Sequence, residues 1–191
     1  MLSVIIATHD SERPLVPTLA SLVPGVTAGL LGEVVVADAG SRDATAEVAD
    51  IAGCRFVASG EALGVRLKTA AASTRAPWLM FLRAGTVLEP RWVGVVNSFI
   101  EKADLMEGAA RAAVFRPHTA SDVMRPGLAE AWAALRASFA APRPEHGLLV
   151  ARGLYNEVGG HAPLQDADAA LLRRIGRRRL ARLGAQAGFQ D

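Results

Sequence analysis

The 191-residue sequence predicts an α/β fold three layers deep, with a mostly parallel central sheet between helices, and three observations carry that prediction. Short, continuous apolar runs rich in β-branched residues recur: LSVIIA (2–7), EVVV within GEVVVADAGS (32–41), CRFVAS (54–59) and PWLMFLRA (77–84). Segments with apolar residues at helical spacing separate them. Each run ends in small or polar residues, in the order ATHD, ADAGS, ASGE and RAGT. Continuous strands alternating with amphipathic helices are the pattern of a parallel sheet covered on both faces, and such sheets bind ligands beyond the carboxyl ends of their strands.

The elements follow in order. After the first strand and polar THDSE, RPLVPTLASLV reads as a helix with Pro14 in its first turn. RDATAEVADIAG (42–53) is a second helix, with Asp43 in the first turn where the macrodipole favours an acid. EALGVRLKTAAAST (61–74) is a third, and PRWVGVVNSFIEKA (90–103) a fourth. LMEGAARAAVFRP (105–117) reads as a strand or strand pair, and a helix is expected after Pro126. EHGLLVARGLYNEVGGH (145–161) reads as strand, short helix and Gly-Gly turn. LQDADAALLRRIGRRRLARLGAQ (164–186) reads as one helix, or two broken near Gly176. No internal repeat or composition break marks a boundary, so residues 1–191 are expected to form a single domain. Its nucleotide-binding half spans about 1–103, its acceptor-side half about 104–176, and a basic C-terminal helix about 171–186.

A hydrophobic fraction of 51% with 21% charged residues excludes a disordered chain, and a net charge of +2 gives no field for nucleic acid. The single cysteine, Cys54, excludes an internal disulfide. No apolar run is long enough for a signal peptide or a membrane span, and a cytoplasmic protein is expected. Charge is asymmetric locally: LLRRIGRRRLARL (171–183) holds six arginines and no acid. As a helix it would set Leu172, Ile175 and Leu183 on one face, which suits an anionic membrane surface or a lipid-linked acceptor at its inner face. The alternative is a solvated helix packed on the domain.

The motifs of phosphate-loop NTPases, dinucleotide dehydrogenases and α/β-hydrolases are missing, and the four histidines show no paired spacing for zinc. Asp38, at the end of a buried strand before Gly40-Ser41, has two readings. It accepts a hydrogen bond from a nucleobase or ribose, or it satisfies the donors of its own turn. Asp10 or Ser11 caps the helix that follows, or lies with Thr8 beside a ligand. Asp166 and Asp168 open a helix after Gly159-Gly160, where they serve as caps or supply a general base.

The order of these pieces resembles the family 2 glycosyltransferases, whose fold is GT-A, over roughly residues 2–176. SVIIATHDSERPLVPTLASL is similar to the family's opening strand and helix, with Ala7 and Asp10 where proline and asparagine are usual. EVVVADAGSRDAT is close to the family's VVDDGSTDGT. GLLVARGLYNEVGGH followed by LQDADAALLRRIG resembles its later strand, Gly-Gly turn and acidic helix start. The resemblance implies inverting transfer of a sugar from a UDP- or GDP-sugar to an acceptor hydroxyl. It places Thr8, Asp10, Asp38, Gly40, Ser41, Arg66 and Arg83 on the donor side, His161 and Asp168 on the acceptor side, and Asp166 as the general base. It also implies Mg²⁺ or Mn²⁺ on the donor diphosphate, held by an Asp-x-Asp or His-x-Asp motif. Here Arg83-Ala84-Gly85 stands in that place, and Gly85 has no side chain to coordinate with. Two readings remain: Arg83 replaces the metal by binding phosphate oxygens, or the chemistry is lost and the fold binds a nucleotide sugar or a protein partner. An unrelated doubly wound nucleotide-binding protein would instead keep the Asp166 region far from the Asp38 turn. With no extra domain after the helix start, an oligomer or partner is a route to acceptor binding.

Overall fold

The apolar runs become adjacent strands. The computed structural model describes residues 1–106, 111–117 and 147–189, and the helix expected after Pro126 lies outside them. In chain order the elements are β1 (Leu2–Thr8), α1 (Glu12–Thr27), β2 (Leu31–Asp38), α2 (Thr45–Ile51), β3 (Arg55–Ala58), α3 (Leu63–Ala72), β4 (Trp78–Arg83), β5 (Thr86–Leu88) and α4 (Trp92–Leu105). Then come β6 (Ala112–Pro117), β7 (Leu148–Ala151), α5 (Arg152–Glu157), α6 (Ala167–Ile175), a 3₁₀ turn (Arg177–Arg179) and β8 (Leu180–Phe189). The described strands form one sheet in the order β3-β2-β1-β4-β7-β6-β8-β5. Of its seven pairings four are parallel, namely β1 with β2, β1 with β4, β2 with β3 and β6 with β8; the other three are antiparallel.

Right-handed crossovers fix the layers. The step from β1 to β2 runs one way across the sheet and the step from β3 back to β4 runs the other, so α1 and α3 lie on opposite faces. Helix α4 joins α1: Trp92 is fully buried, its indole N–H donates to the Ser21 carbonyl at 2.9 Å, and a Cβ on Gly25 would come within 2.5 Å of its ring. Helix α6 packs against α3 on the opposite face. With both faces covered, β1, β4 and β7 are buried almost throughout, which is why their sequences read as continuous apolar runs.

The register sets what meets at the carboxyl edge. Thr8 pairs with Asp38, Ala7 pairs with both Ala37 and Arg83, and Asp38 pairs with Ala58. The later half of the chain is brought to the same edge by α5 and the turns after it. The Arg152 guanidinium donates to the carbonyls of Ala76 and Ala71 and to the Thr74 hydroxyl, fixing α5 under the α3–β4 connection.

The basic C-terminal segment differs from the expectation. The helix ends at Ile175, and from Leu180 to Phe189 the chain is a strand. Gly176 adopts φ 77 and ψ 154, which stops the helix, and the residues beyond it then alternate. Leu183, Ala185 and Ala187 are buried, while Arg182 and Gly184 between and before them are exposed. The proposed lipid-facing stripe is therefore spent in the core: Leu172, Ile175 and Leu183 are all buried. Arg174 and Arg179 are tied to carbonyls of the domain and, for Arg179, to Glu157. Among the described residues no helix is long and apolar enough to cross a membrane.

Two hydrogen bonds hold the 161–166 loop to α3, one of them from the Leu63 N–H to Gln165 Oε1 at 3.4 Å. Gly64 donates its N–H to the Leu164 carbonyl at 3.1 Å, and a Cβ on Gly64 would lie 1.7 Å from the Ala162 oxygen and 2.7 Å from the Ala167 Cβ. Neither neighbour is the end of a flexible side chain. Gly64→Ala is expected to destabilise the domain by about 2 kcal/mol or more, the range of overpacked interiors. Urea denaturation of the two proteins checks it; an unchanged midpoint would mean that the loop is not seated there.

Candidate functional site

The first wall is built by the β1–α1 and β2–α2 connections. Asp38 ends a buried strand, is 1% exposed, and has both carboxylate oxygens engaged. Oδ1 accepts the hydroxyls of Thr8 at 2.7 Å and Ser41 at 2.5 Å; Oδ2 accepts the backbone N–H groups of Gly40 and Ser41, each at 2.7 Å. Burial alone would push this carboxyl up, but the bonds from Ser41, Thr8 and Gly40 outweigh it and hold the pKa below the ordinary value. Of the two readings of Asp38 the structure carries the second: the carboxylate organises its own turn, and with four donors it has no lone pair left for a base unless one bond is exchanged. Gly40, at φ 87, supplies the left-handed conformation that the turn needs.

The same logic links the two connections. Asp10, at φ 45, donates its N–H to the Ser41 hydroxyl oxygen and accepts the Arg42 N–H on Oδ1, both at 2.8 Å. Ser11 leaves the helix N-terminus without a side-chain cap; instead Asp43 accepts the Glu12 N–H at 2.9 Å. Asp43 precedes α2 rather than lying in its first turn, and its other oxygen takes both the N–H and the hydroxyl of Thr45. Thr8 and Asp10 thus act first on the loops that frame the site.

The second wall is α3. Arg66 donates Nη1 to the Ala37 carbonyl at 2.6 Å and, at 3.4 Å, to that of Thr8, and Nε to the Glu61 carbonyl; its Nη2 has no partner among the described residues. The floor is Arg83 at the end of β4, whose side chain is 43% exposed. Arg83 Nη2 donates to Asp168 Oδ2 at 2.9 Å, while its Nε is buried without a partner among the described residues.

A cavity of about 320 Å³ lies between these groups, lined by Thr8, His9, Ser11, Arg66, Arg83, Gln165 and Phe189 with a few apolar neighbours. Among the described residues no carboxylate lines it, and it contains two guanidinium groups. Gln165 joins it to the 161–166 loop, so the region of Asp166 and the Asp38 turn meet at one edge, which removes the unrelated doubly wound reading. Asp166 itself is exposed at the N-terminus of α6, one residue beyond Gln165, and its side chain makes no cap bond.

His161 and Asp168, the two residues placed on the acceptor side, have buried side chains. Gly159 and Gly160, at φ 81 and 67, fold the chain inward, and the His161 side chain is fully buried against Phe81 and Tyr155. Asp168 lies beneath Arg83 and bonds to His161 as well. Burial would raise its pKa, but the bonds from His161 and Arg83 hold it below the ordinary carboxylate value. Gln165 and Phe189 have no counterpart in the sequence reading. Phe189, 58% exposed, reaches the cavity only because β8 pairs it with Thr86.

At the end of β4 the described residues offer no ligand set for a divalent cation. Among the described residues no cluster of three or more histidine, cysteine or acidic side chains is gathered. The position offers a cationic guanidinium where a ligand would have to be an anion or a lone pair. Gly85 has φ 94 and spends its N–H on the Pro14 carbonyl and the Thr18 hydroxyl, so even a substituted acid there would be strained.

Asp38 and Asp168 have depressed pKa values, so the stability they contribute is present above the unfolded carboxylate value of about 3.9 and is lost as pH falls through their folded values. Asp38→Asn turns an amide N–H₂ toward donors and is expected to cost about 1–3 kcal/mol at pH 7. It should also flatten the acid side of the stability profile. Urea midpoints at pH 7 and below pH 4 test both; equal midpoints for the two proteins at pH 7 would refute the turn-organising role.

Residues 3–120 match the family described as Glycosyl transferase family 2. No curated protein sequence matches the chain. Among solved structures it is similar to glucosyl-3-phosphoglycerate synthase from Mycobacterium tuberculosis. The complex of that enzyme with phosphoglyceric acid gives a TM-score of 0.72 at 21% identity, over 100% of this chain and 71% of that one. The complex with Mn²⁺, UDP and phosphoglyceric acid gives 0.71 at 20%, over 100% and 71%. The complex with Mn²⁺, UDP-glucose and phosphoglyceric acid gives 0.70 at 22%, over 100% and 72%. At these identities the structural likeness is one of fold, and it agrees with a family match that spans more than half of the sequence. The chain belongs to glycosyl transferase family 2 and has the GT-A fold.

Proposed function

We propose that this chain transfers a sugar from a nucleoside-diphosphate donor with arginines, not a metal ion, facing the diphosphate. The observation that carries the reading is the cavity at the carboxyl edge, with Arg66 and Arg83 in its lining and no carboxylate among the described residues there. Guanidinium binds phosphate oxygens through charge-assisted, paired hydrogen bonds and stabilises charge on a departing diphosphate. The Thr8, Gly40 and Ser41 turn, held rigid by Asp38 and Asp10, frames the nucleoside. The glucosyl-3-phosphoglycerate synthase complexes hold Mn²⁺ with UDP-glucose; among the described residues the β4 end of this chain offers no ligand for such an ion.

Of the two acids that open α6, Asp166 is exposed and uncommitted, whereas Asp168 is bound on both oxygens. Asp166 is therefore the better general base. It takes the proton of an acceptor hydroxyl, the freed oxygen attacks the anomeric carbon, and the bond to the β-phosphate breaks with its electron pair left on the diphosphate. A single displacement of this kind inverts the anomeric centre.

A thermal-shift titration with UDP, GDP, UDP-glucose and GDP-mannose tests the reading, because a ligand that binds only the folded state raises the melting temperature. Stabilisation by one nucleotide in EDTA is expected, with Arg66→Ala weakening binding by roughly tenfold or more, the loss of a charged hydrogen bond. Turnover, followed as released nucleoside diphosphate, is expected to survive chelator and to fall at least about 100-fold in Asp166→Asn. Binding that requires Mn²⁺ would overturn the arginine-based site, and binding without turnover would identify a nucleotide-sugar-binding relative instead.

A further inference from the structure

Behind Arg83 runs a chain of buried polar groups that the donor site alone does not call for. The Tyr155 hydroxyl oxygen lies 2.9 Å from His161 Nδ1, His161 Nε2 lies 3.1 Å from Asp168 Oδ1, and Asp168 Oδ2 accepts Arg83 Nη2 at 2.9 Å. One arrangement of protons satisfies every member. The Tyr155 oxygen accepts the His161 backbone N–H at 3.2 Å and keeps its own O–H to donate to Nδ1. Nε2 then carries the imidazole proton and donates it to Asp168. Burial pushes the Tyr155 phenol up to about 12, and the bonds from His161 and Arg83 hold Asp168 below the ordinary carboxylate value.

The rings are locked by packing. Phe81, on β4 two residues before Arg83, stacks on Tyr155 with centroids 5.3 Å apart and meets His161 edge-on at 4.6 Å. Gly160 at φ 67 lies so close to the Tyr155 ring that a Cβ would come within 3.0 Å of it. The result is a rigid carboxylate under a guanidinium whose long stem would otherwise sample many rotamers.

We propose that His161 is a positioning residue for donor binding: through Asp168 it holds the Arg83 guanidinium at the cavity floor in one orientation. This rests on the reading that Arg83 meets the diphosphate. The test is UDP and GDP affinity by calorimetry for wild type, His161→Phe, His161→Gln and Arg83→Lys, and for the double variant His161→Phe/Arg83→Lys, with melting curves for each. His161→Phe fills the space and removes both bonds; His161→Gln restores an amide N–H toward Asp168; Arg83→Lys keeps a cation beside Asp168 and loses the planar fork.

His161→Phe is expected to weaken nucleotide binding roughly tenfold, with His161→Gln recovering most of the loss, and to add little once Arg83 is lysine, as coupled neighbours do. Wild-type affinity in His161→Phe would overturn the proposal. So would an equal, additive loss in the Arg83→Lys background, since a general structural effect would persist there. If wild type binds but Arg83→Lys alone leaves affinity unchanged, it is the assignment of Arg83 to the diphosphate that fails. If neither nucleotide binds wild type, the donor-site reading fails and the positioning role with it.

Discussion

The ion pair between Arg83 and Asp168 is the interaction on which the rest of the site depends. It joins residues 85 positions apart, the end of the central strand β4 and the first turn of α6. A carboxylate left buried without its partner would cost several kcal/mol, so strand end and helix start are held as one unit. The pair also explains why the two acids of α6 differ in character. One is sunk under a guanidinium and fixed on both oxygens, and the other stands free in solvent at the helix terminus.

The two arginines of the cavity are electrostatically unequal. The charge of Arg83 is largely balanced by Asp168, so it contributes orientation more than field. Arg66 rests on backbone carbonyls, and the nearby acid, Asp38, spreads its charge over four hydrogen-bond donors. The positive charge of the cavity thus rests mainly on Arg66, and its geometry mainly on Arg83. The loss of the metal motif is likewise written twice, in the side chain of Arg83 and in the left-handed backbone of Gly85, whose N–H is committed to α1.

The parallel half of the fold was legible because burial on both faces leaves continuous apolar runs, and the Asp38 turn because a carboxylate before Gly-Ser has few other uses. The strand β8 was not. Leu172, Ile175 and Leu183 fit helical spacing, and the alternation of Leu183, Ala185 and Ala187 is carried by small side chains with little hydrophobic signal. Only the conformation of Gly176 separates the two periods. Three-residue β5 lies below what any spacing reveals. The inward turn of His161 was illegible for another reason. Its partners Tyr155 and Asp168 are near in sequence, but the cause of the arrangement, Phe81 and Arg83, lies about eighty residues upstream.

The sheet order carries a consequence for biosynthesis. Strand β8 is inserted between β6 and β5, and its partners at Thr86–Leu88 leave the ribosome about a hundred residues earlier. Until residues 180–189 emerge, the nascent chain holds two unpaired strand edges and an unfinished hydrophobic layer under α4. Completion of the domain therefore waits on residues 180–189, and in the interval the polypeptide is a natural client for holding chaperones.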